Sequence, residues 1–194
     1  MAPHETIAFL RAFLKNPGRT GAIAPSSAVL ARAMVRGLHL APGETVVEFG
    51  PGTGAFTGAI RAALAAPDDY VGFEVNAEFV KLLGGRFPGL RVIHDSAARA
   101  PAHLAAMGRD SVRAVICGLP FASLPPGVQD DVIGALDRLM RPGSEFRTFQ
   151  YVHAYWLPPA VRFRRRMLQR VGPCVRIATV WPNLPPAFVL QWKR

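Results

Sequence analysis

Acids at the ends of apolar runs and one glycine-dense turn are the residues of this chain best suited to chemistry. Glu48 follows the β-branched run Thr45-Val46-Val47 and precedes Phe49-Gly50-Pro51-Gly52-Thr53-Gly54. A purely structural strand would carry another Val or Ile where Glu48 stands. Gly50, Gly52 and Gly54 have no Cβ, so the backbone there can take φ > 0 and lie against a ligand. Roughly twenty residues past the loop, Tyr70-Val71-Gly72-Phe73 ends in a second acid, Glu74. An acid at that spacing sits at the tip of the neighbouring strand, where it accepts hydrogen bonds from both hydroxyls of a ribose. Glu48, Gly50, Pro51, Gly52, Thr53, Gly54, Glu74 and the adjoining Val75 are therefore the candidate nucleoside-binding residues. The loop also fits the looser G-x-G-x-x-A form through Ala55, which keeps a dinucleotide open as the ligand.

Positioning these groups takes strand, tight loop and helix in succession, and the chain supplies that order repeatedly. Strands are expected at Thr45 to Phe49, Tyr70 to Glu74, Leu90 to His94, Ser111 to Cys117 and Phe146 to Val152. Two closing strands, Cys174 to Trp181 and Ala187 to Trp192, form an antiparallel pair across Pro182-Asn183-Leu184-Pro185-Pro186. Helices are expected from Ser26 or Ser27, either a natural N-cap, to about Arg36, and from Phe56 to Ala65. Others run from Ala77 to Leu83, where Gly84-Gly85 breaks the helix, from Ala97 to Ala106, and from Gly127 to Met140 before Arg141-Pro142-Gly143. Asp95, followed by Ser96, reads equally well as a helix cap. Ile7, Leu10 and Leu14, flanked by Phe9 and Phe13, recur at helical spacing beside Arg11 and Lys15, and Asn16-Pro17-Gly18 ends that helix. It could pack on its own domain or lie in a membrane interface.

The 194 residues make one domain of ordinary size with a substantial core, and half of them are hydrophobic, so disorder is not expected. No apolar stretch reaches the roughly 18 residues of a membrane span, and no signal-peptide pattern opens the chain. A cytoplasmic protein is expected. Cys117 and Cys174 lack metal-type spacing and read as buried reduced thiols, and no metal is expected. The net charge of +10 predicts attraction to a polyanion, either nucleic acid or an anionic membrane surface. Arg162, Arg164, Arg165, Arg166 and Arg170 crowd one short helical segment, more charge than a solvated face ordinarily carries.

The Glu48 to Gly54 motif, Glu74, His94-Asp95-Ser96 and Gly118-Leu119-Pro120-Phe121 together resemble the S-adenosylmethionine-dependent methyltransferases of the Rossmann-like class. Over roughly residues 5 to 192 the chain resembles the small bacterial phospholipid N-methyltransferases, which methylate phosphatidylethanolamine. The more specific matches are Gly21-Ala22-Ile23-Ala24-Pro25-Ser26-Ser27 and Asn183-Leu184-Pro185-Pro186-Ala187. The resemblance implies an α/β fold: a Rossmann-like seven-stranded methyltransferase sheet with helices on both faces, an antiparallel last strand and N-terminal amphipathic helices. Residues 1–40 would form a membrane- and substrate-facing cap and residues 41–194 the methyltransferase domain. It implies S-adenosylmethionine as cofactor, with Asp95 on the adenine amino group and Ser96 beside it. Ligands of open α/β sheets sit at the carboxyl ends of strands, so Gly118, Leu119, Pro120 and Phe121 should face the reactive methyl group.

Methyl transfer to an amine needs a neutral nitrogen and a proton acceptor, and Tyr151 and His153, just past the fifth strand, are the candidates. The carbonyls of Gly118 and Leu119 could aim the amine lone pair. Lipid phosphate would pair with Arg11, Lys15, Arg162, Arg164 or Arg165, with Asn183 nearby. The expected location is the inner face of the cell membrane, peripherally bound. Two rivals remain. Gly118-Leu119-Pro120-Phe121 is similar to the signature of adenine N6-methyltransferases, so an rRNA adenine dimethyltransferase competes. Gly118 in place of Asn, Phe121 in place of Tyr, and the lack of room for an added helical domain weaken it. The other rival is a non-catalytic protein that binds nucleotide and anionic membrane.

Overall fold

The computed structural model describes residues 27–109 and 112–194. Its centre is a seven-stranded sheet in the order β3-β2-β1-β4-β5-β7-β6. The strands are β1 (Thr45–Phe49), β2 (Tyr70–Glu74), β3 (Arg91–His94), β4 (Val112–Cys117), β5 (Met140–Tyr151), β6 (Cys174–Val180) and β7 (Ala187–Lys193). The first five run parallel, and β7 pairs antiparallel with both β5 and β6. The connecting helices are α1 (Ala28–Val35), α2 (Thr57–Ala63), α3 (Ala77–Arg86), α4 (Ala100–Ala106), α5 (Pro126–Leu139) and α6 (Pro158–Arg170).

Alternation along the strands divides the core in two. Val46, Tyr70, Ala114 and Phe149 face α1, α2 and α3 through Leu30, Met34, Phe56, Ile60 and Leu83. Val47, Phe73, Val115 and Phe146 face α4, α5 and α6 through Leu104, Val132, Leu136, Phe163 and Met167. The expected α/β architecture with helices on both faces and an antiparallel last strand is the one observed.

Two expectations are corrected. Gly84-Gly85 does not end the third helix: α3 continues to Arg86, anchored by the Asn76 N-cap and by fully buried Leu83. The fifth strand begins at Met140 rather than Phe146. Pro142-Gly143, which reads as a turn, lies within β5, and Gly143 N–H donates to the Arg194 carbonyl at 2.7 Å. The helix expected at residues 5–15 lies outside the described residues, as do Arg11 and Lys15. Among the described residues no helix is long and apolar enough to cross a membrane.

Candidate active site

The strand order reverses between β1 and β4, which opens a crevice at their carboxyl ends where ligands of such sheets bind. The glycine loop leaves β1 there and the Gly118 turn leaves β4. Gly50 N–H donates to the Phe73 carbonyl at 3.0 Å, and Gly118 N–H donates to the Phe49 carbonyl at 2.8 Å. A Cβ on Gly118 would stand 2.7 Å from the Gly50 carbonyl oxygen, so the two turns touch through bare backbone. Gly50 has φ +66°, and a Cβ there would meet Leu119 Cδ2 at 2.5 Å. At Gly52, φ +56°, an added Cβ would meet nothing within 4 Å, so that stretch of backbone borders open space.

Glu74 closes one side of the crevice. Its Oε2 accepts from Gly52 N–H and its Oε1 from Asn76 N–H, both at 2.9 Å. Burial raises its carboxyl pKa, against the pull of those N–H donors and of His94. Glu48 is sealed beneath the loop, on the α2 side of the sheet. Its Oε2 accepts from Tyr70 OH at 2.6 Å and Thr57 OH at 2.8 Å, while Oε1 finds no partner among the described residues. Burial pushes the Glu48 carboxyl up to about 7, the two hydroxyls only partly offsetting it. The slit between Gly50, Glu74, Val75, Ser96 and Leu119 holds about 20 Å³. Pro51 is buried and its carbonyl accepts from Gly54 N–H at 2.9 Å. Thr53 is exposed and its carbonyl ties down Arg86.

Asp95 stands at the end of β3, but the helix cap there is Ser96, whose hydroxyl accepts from Ala98 N–H at 3.3 Å. The Asp95 carboxylate instead takes His103 Nε2 at 2.8 Å, Ser96 N–H at 2.7 Å and the Arg99 guanidinium at 3.3 Å. Partial burial works against its ionisation, yet these three together hold its pKa below the usual carboxylate value.

On the other side of the Gly118 turn a second cleft of about 130 Å³ opens, lined by Pro120, Phe149, Tyr151, His153 and Leu157 among others. His153 is exposed and stacks on Tyr151, with ring centroids 5.7 Å apart and 9° between planes. Burial pushes the Tyr151 phenol above its ordinary value, while the His153 imidazole stands exposed at the cleft. Leu119's carbonyl accepts Phe121 N–H at 3.0 Å and is thereby engaged within the turn.

Four expected contact residues are engaged within the fold, although Phe121 also borders the aromatic cleft. Phe121 is fully buried, its ring stacked on Phe163 at 3.7 Å and edge-on to Phe146, because an aromatic at a strand end gains more from the core than from water. Asn183 is buried, its Oδ1 accepting Ser27 N–H at 2.9 Å and its Nδ2 donating to the Pro185 carbonyl at 2.6 Å, a strut at the entry to α1. Arg162 and Arg166 converge on Asp130 at 2.9 and 3.1 Å. Arg164 lies over the Tyr155 ring at 3.7 Å and donates to Gln150 and to the Tyr155 carbonyl. Arg165 alone of the three proposed lipid-facing arginines of α6 is exposed.

Sequence reasoning missed two positions. Gln129 is buried and its Nε2 donates to the carbonyls of Phe121 at 2.7 Å and Leu124 at 3.2 Å, pinning the turn that separates the two clefts. An amide between Val128 and Val132 on a helix was its signal. His103, which orients Asp95, carried none.

No family model matches the chain. It is 29% identical over 182 residues to an ornithine lipid N-methyltransferase of Singulisphaera acidiphila, covering 92% of this chain and 91% of that protein. Among solved structures, an rRNA methylase from Streptococcus thermophilus superimposes with TM-score 0.59 at 17% identity, covering 86% of this chain and 94% of that one. A TehB-like SAM-dependent methyltransferase from Corynebacterium glutamicum gives TM-score 0.59 at 9% identity over the whole of both chains. The fold is that of the Rossmann-like methyltransferases. The glycine loop and Glu74 flank the crevice at the reversal of strand order, and the Gly118 turn stands between that crevice and the aromatic cleft.

Proposed function

We propose that this protein is an S-adenosylmethionine-dependent methyltransferase acting on the amine of a membrane lipid, phosphatidylethanolamine and its methylated intermediates. The observation that carries the reading is the shared turn: Gly118 abuts Gly50 on the donor side, and Pro120 lines the cleft of Tyr151 and His153. Donor crevice and acceptor cleft are thus neighbours on the two sides of one turn, and the amine nitrogen reaches the methyl group past its edge. The similarity to an ornithine lipid N-methyltransferase supports a lipid amine and makes an ornithine lipid the second acceptor to consider.

The cofactor is S-adenosylmethionine. The residues present fit it: a backbone cradle at Gly50 and Gly52, and a carboxylate at Glu74 for ribose hydroxyls. Asp95 and Ser96 lie at the next strand end. When bound, the cofactor supplies an electrophilic methyl group on a sulfonium, which an amine nitrogen displaces in line.

The chain's own residues do the rest. A lipid ammonium with a pKa of about 10 attacks only after losing a proton, and His153 at the cleft mouth accepts it. The Gly118 carbonyl receives an N–H of the amine and aims the lone pair, since Leu119's carbonyl already holds Phe121 N–H. Phe149, Leu157 and Pro120 exclude water from the cleft. Position 118 admits no side chain while Gly50 keeps its place, so there is no side-chain amide to hold an adenine amino group. This favours a lipid amine over a base.

Calorimetry with S-adenosylmethionine tests the donor half. Glu74→Ala should stay folded but melt lower, because it leaves the N–H groups of Gly52 and Asn76 without their acceptor. It should bind the cofactor at least about tenfold more weakly, the equivalent of about 1.4 kcal/mol. Equal affinity in the folded variant would remove Glu74 from the site.

A further inference from the structure

Four large apolar side chains stand in solvent at one end of the molecule. Trp156 is 77% exposed and Leu157 47%, between β5 and α6, while Trp181 is 66% and Leu184 78%, in the β6–β7 connection. The two segments adjoin. Val152 N–H donates to the Pro186 carbonyl at 2.9 Å, and Tyr155 meets Phe188 edge-on with centroids 5.0 Å apart. Val180 and Tyr151 both pair with Ala187. All four side chains therefore stand at the carboxyl end of the parallel strands, where the aromatic cleft opens, and Leu157 itself lines that cleft. The other exposed large apolar residues, Val29, Leu82, Leu168 and Val175, are spread over α1, α3, α6 and β6. Single exposed residues of that kind are ordinary, but two Trp and two Leu on adjoining loops are not.

Prolines follow three of the four directly: Leu157-Pro158-Pro159, Trp181-Pro182 and Leu184-Pro185-Pro186. With φ fixed, these loops cannot readily fold their apolar side chains inward. A cationic group lies close by. Arg176 on β6 is exposed and sits over the Phe188 ring at 4.6 Å, the ring that meets Tyr155 edge-on.

The geometry points to this rim as the surface on which the protein docks to an anionic bilayer, with Trp156 and Trp181 in the headgroup layer and the cleft facing the lipid. The inference rests on the lipid-amine reading above and names the surface that reading requires. Indole suits the boundary between headgroups and acyl chains, because its body is apolar and its N–H is wet. The net charge of +10 complements anionic headgroups. The chain before Ser27 is the other candidate occupant, since Ser27 meets Asn183 in the same loop.

Tryptophan emission of the full chain tests this, with fully buried Trp192 as the internal reference. Vesicles of phosphatidylethanolamine and phosphatidylglycerol with brominated acyl chains should quench the wild type, and Trp156→Phe and Trp181→Phe should each lose part of that quenching. Trp156→Ser/Trp181→Ser should lower vesicle affinity at least about tenfold, with melting temperature and cofactor affinity unchanged. Undiminished vesicle affinity in the double variant, or no quenching in the wild type, overturns the proposal. So does shielding of the indoles from aqueous acrylamide before vesicles are added, which would assign the rim to residues 1–26 or to a second copy. Quenching by ribosomal RNA alone would also overturn it. The readout needs no methyl transfer, so a protein that docks but methylates no lipid would refute the proposed substrate and leave the docking surface standing.

Discussion

Burial raises the Glu48 carboxyl from the ordinary 4.5 to about 7, against the downward pull of the Tyr70 and Thr57 hydroxyls. The folded protein then holds this proton more tightly than the unfolded chain does. Glu48 therefore costs nothing below its unfolded pKa, destabilises the fold progressively as pH rises from 4.5 to about 7, and adds no further change above. At 1.36 kcal/mol per unit the span is worth about 3 kcal/mol. Glu48→Gln should flatten the dependence of melting temperature on pH across that window, and an unaltered slope would show that Glu48 is ionised throughout. At the acceptor cleft the two stacked rings separate by experiment. His153→Ala should lower kcat by about 10²- to 10⁴-fold without changing cofactor affinity. Tyr151→Phe, which keeps the ring that stacks on His153, should stay within a few-fold of wild type. The reverse pattern would make Tyr151 the proton acceptor. Glu48 and Glu74 were legible in the sequence because each is a carboxylate ending an apolar run. The lipid-facing roles of Phe121 and Asn183 were misread because their partners are distant: Ser27 lies 156 residues from Asn183.

At the scale of elements, the site depends on two turns held at van der Waals distance. Gly118→Ala places a Cβ 2.7 Å from the Gly50 carbonyl oxygen, so the β4 turn or the glycine loop must shift. The expected cost is about 1–3 kcal/mol of stability, together with weaker cofactor binding. Gly85→Ala is the contrasting case. Its Cβ would meet nothing within 4 Å in the last turn of α3, so it should be neutral or stabilising in a thermal melt. Loss of cofactor binding from both substitutions alike would mean that steric contact at Gly118 is not the reason. These glycines also show where sequence reading stops. Gly84-Gly85 has the composition of a helix stop, but α3 runs through it, since a glycine costs only about 1 kcal/mol in a helix and the Leu83 side is buried against β-strand and Gly54. Pro142-Gly143 likewise reads as a turn, whereas the bond from Gly143 to Arg194 keeps it in β5. Strand positions were read well because β-branched runs between turn residues have few alternatives.

For the whole molecule, the charge is distributed unevenly between internal bonding and surface. Arg162 and Arg166 engage Asp130, Arg170 and Arg194 engage Asp137, and Arg147 is buried against Glu145 and the carbonyls of Met34 and Arg36. The arginine-rich helix therefore spends much of its charge on α5, and the sequence could not show this because Asp130 and Asp137 look like an ordinary solvated helix face. The +10 total and the fold were legible; which cations face outward was not. The methyltransferase fold itself hosts acceptors of many kinds, and the argument for a lipid amine rests on Gly118, the aromatic cleft and its apolar rim. The most direct test is to incubate the protein with S-adenosylmethionine carrying a deuterated methyl group, phosphatidylethanolamine vesicles and ribosomal RNA in one reaction, and to analyse both by mass spectrometry. The account predicts labelled methyl groups on the lipid headgroup nitrogen and none on RNA; labelled adenine in the RNA with unlabelled lipid would contradict it.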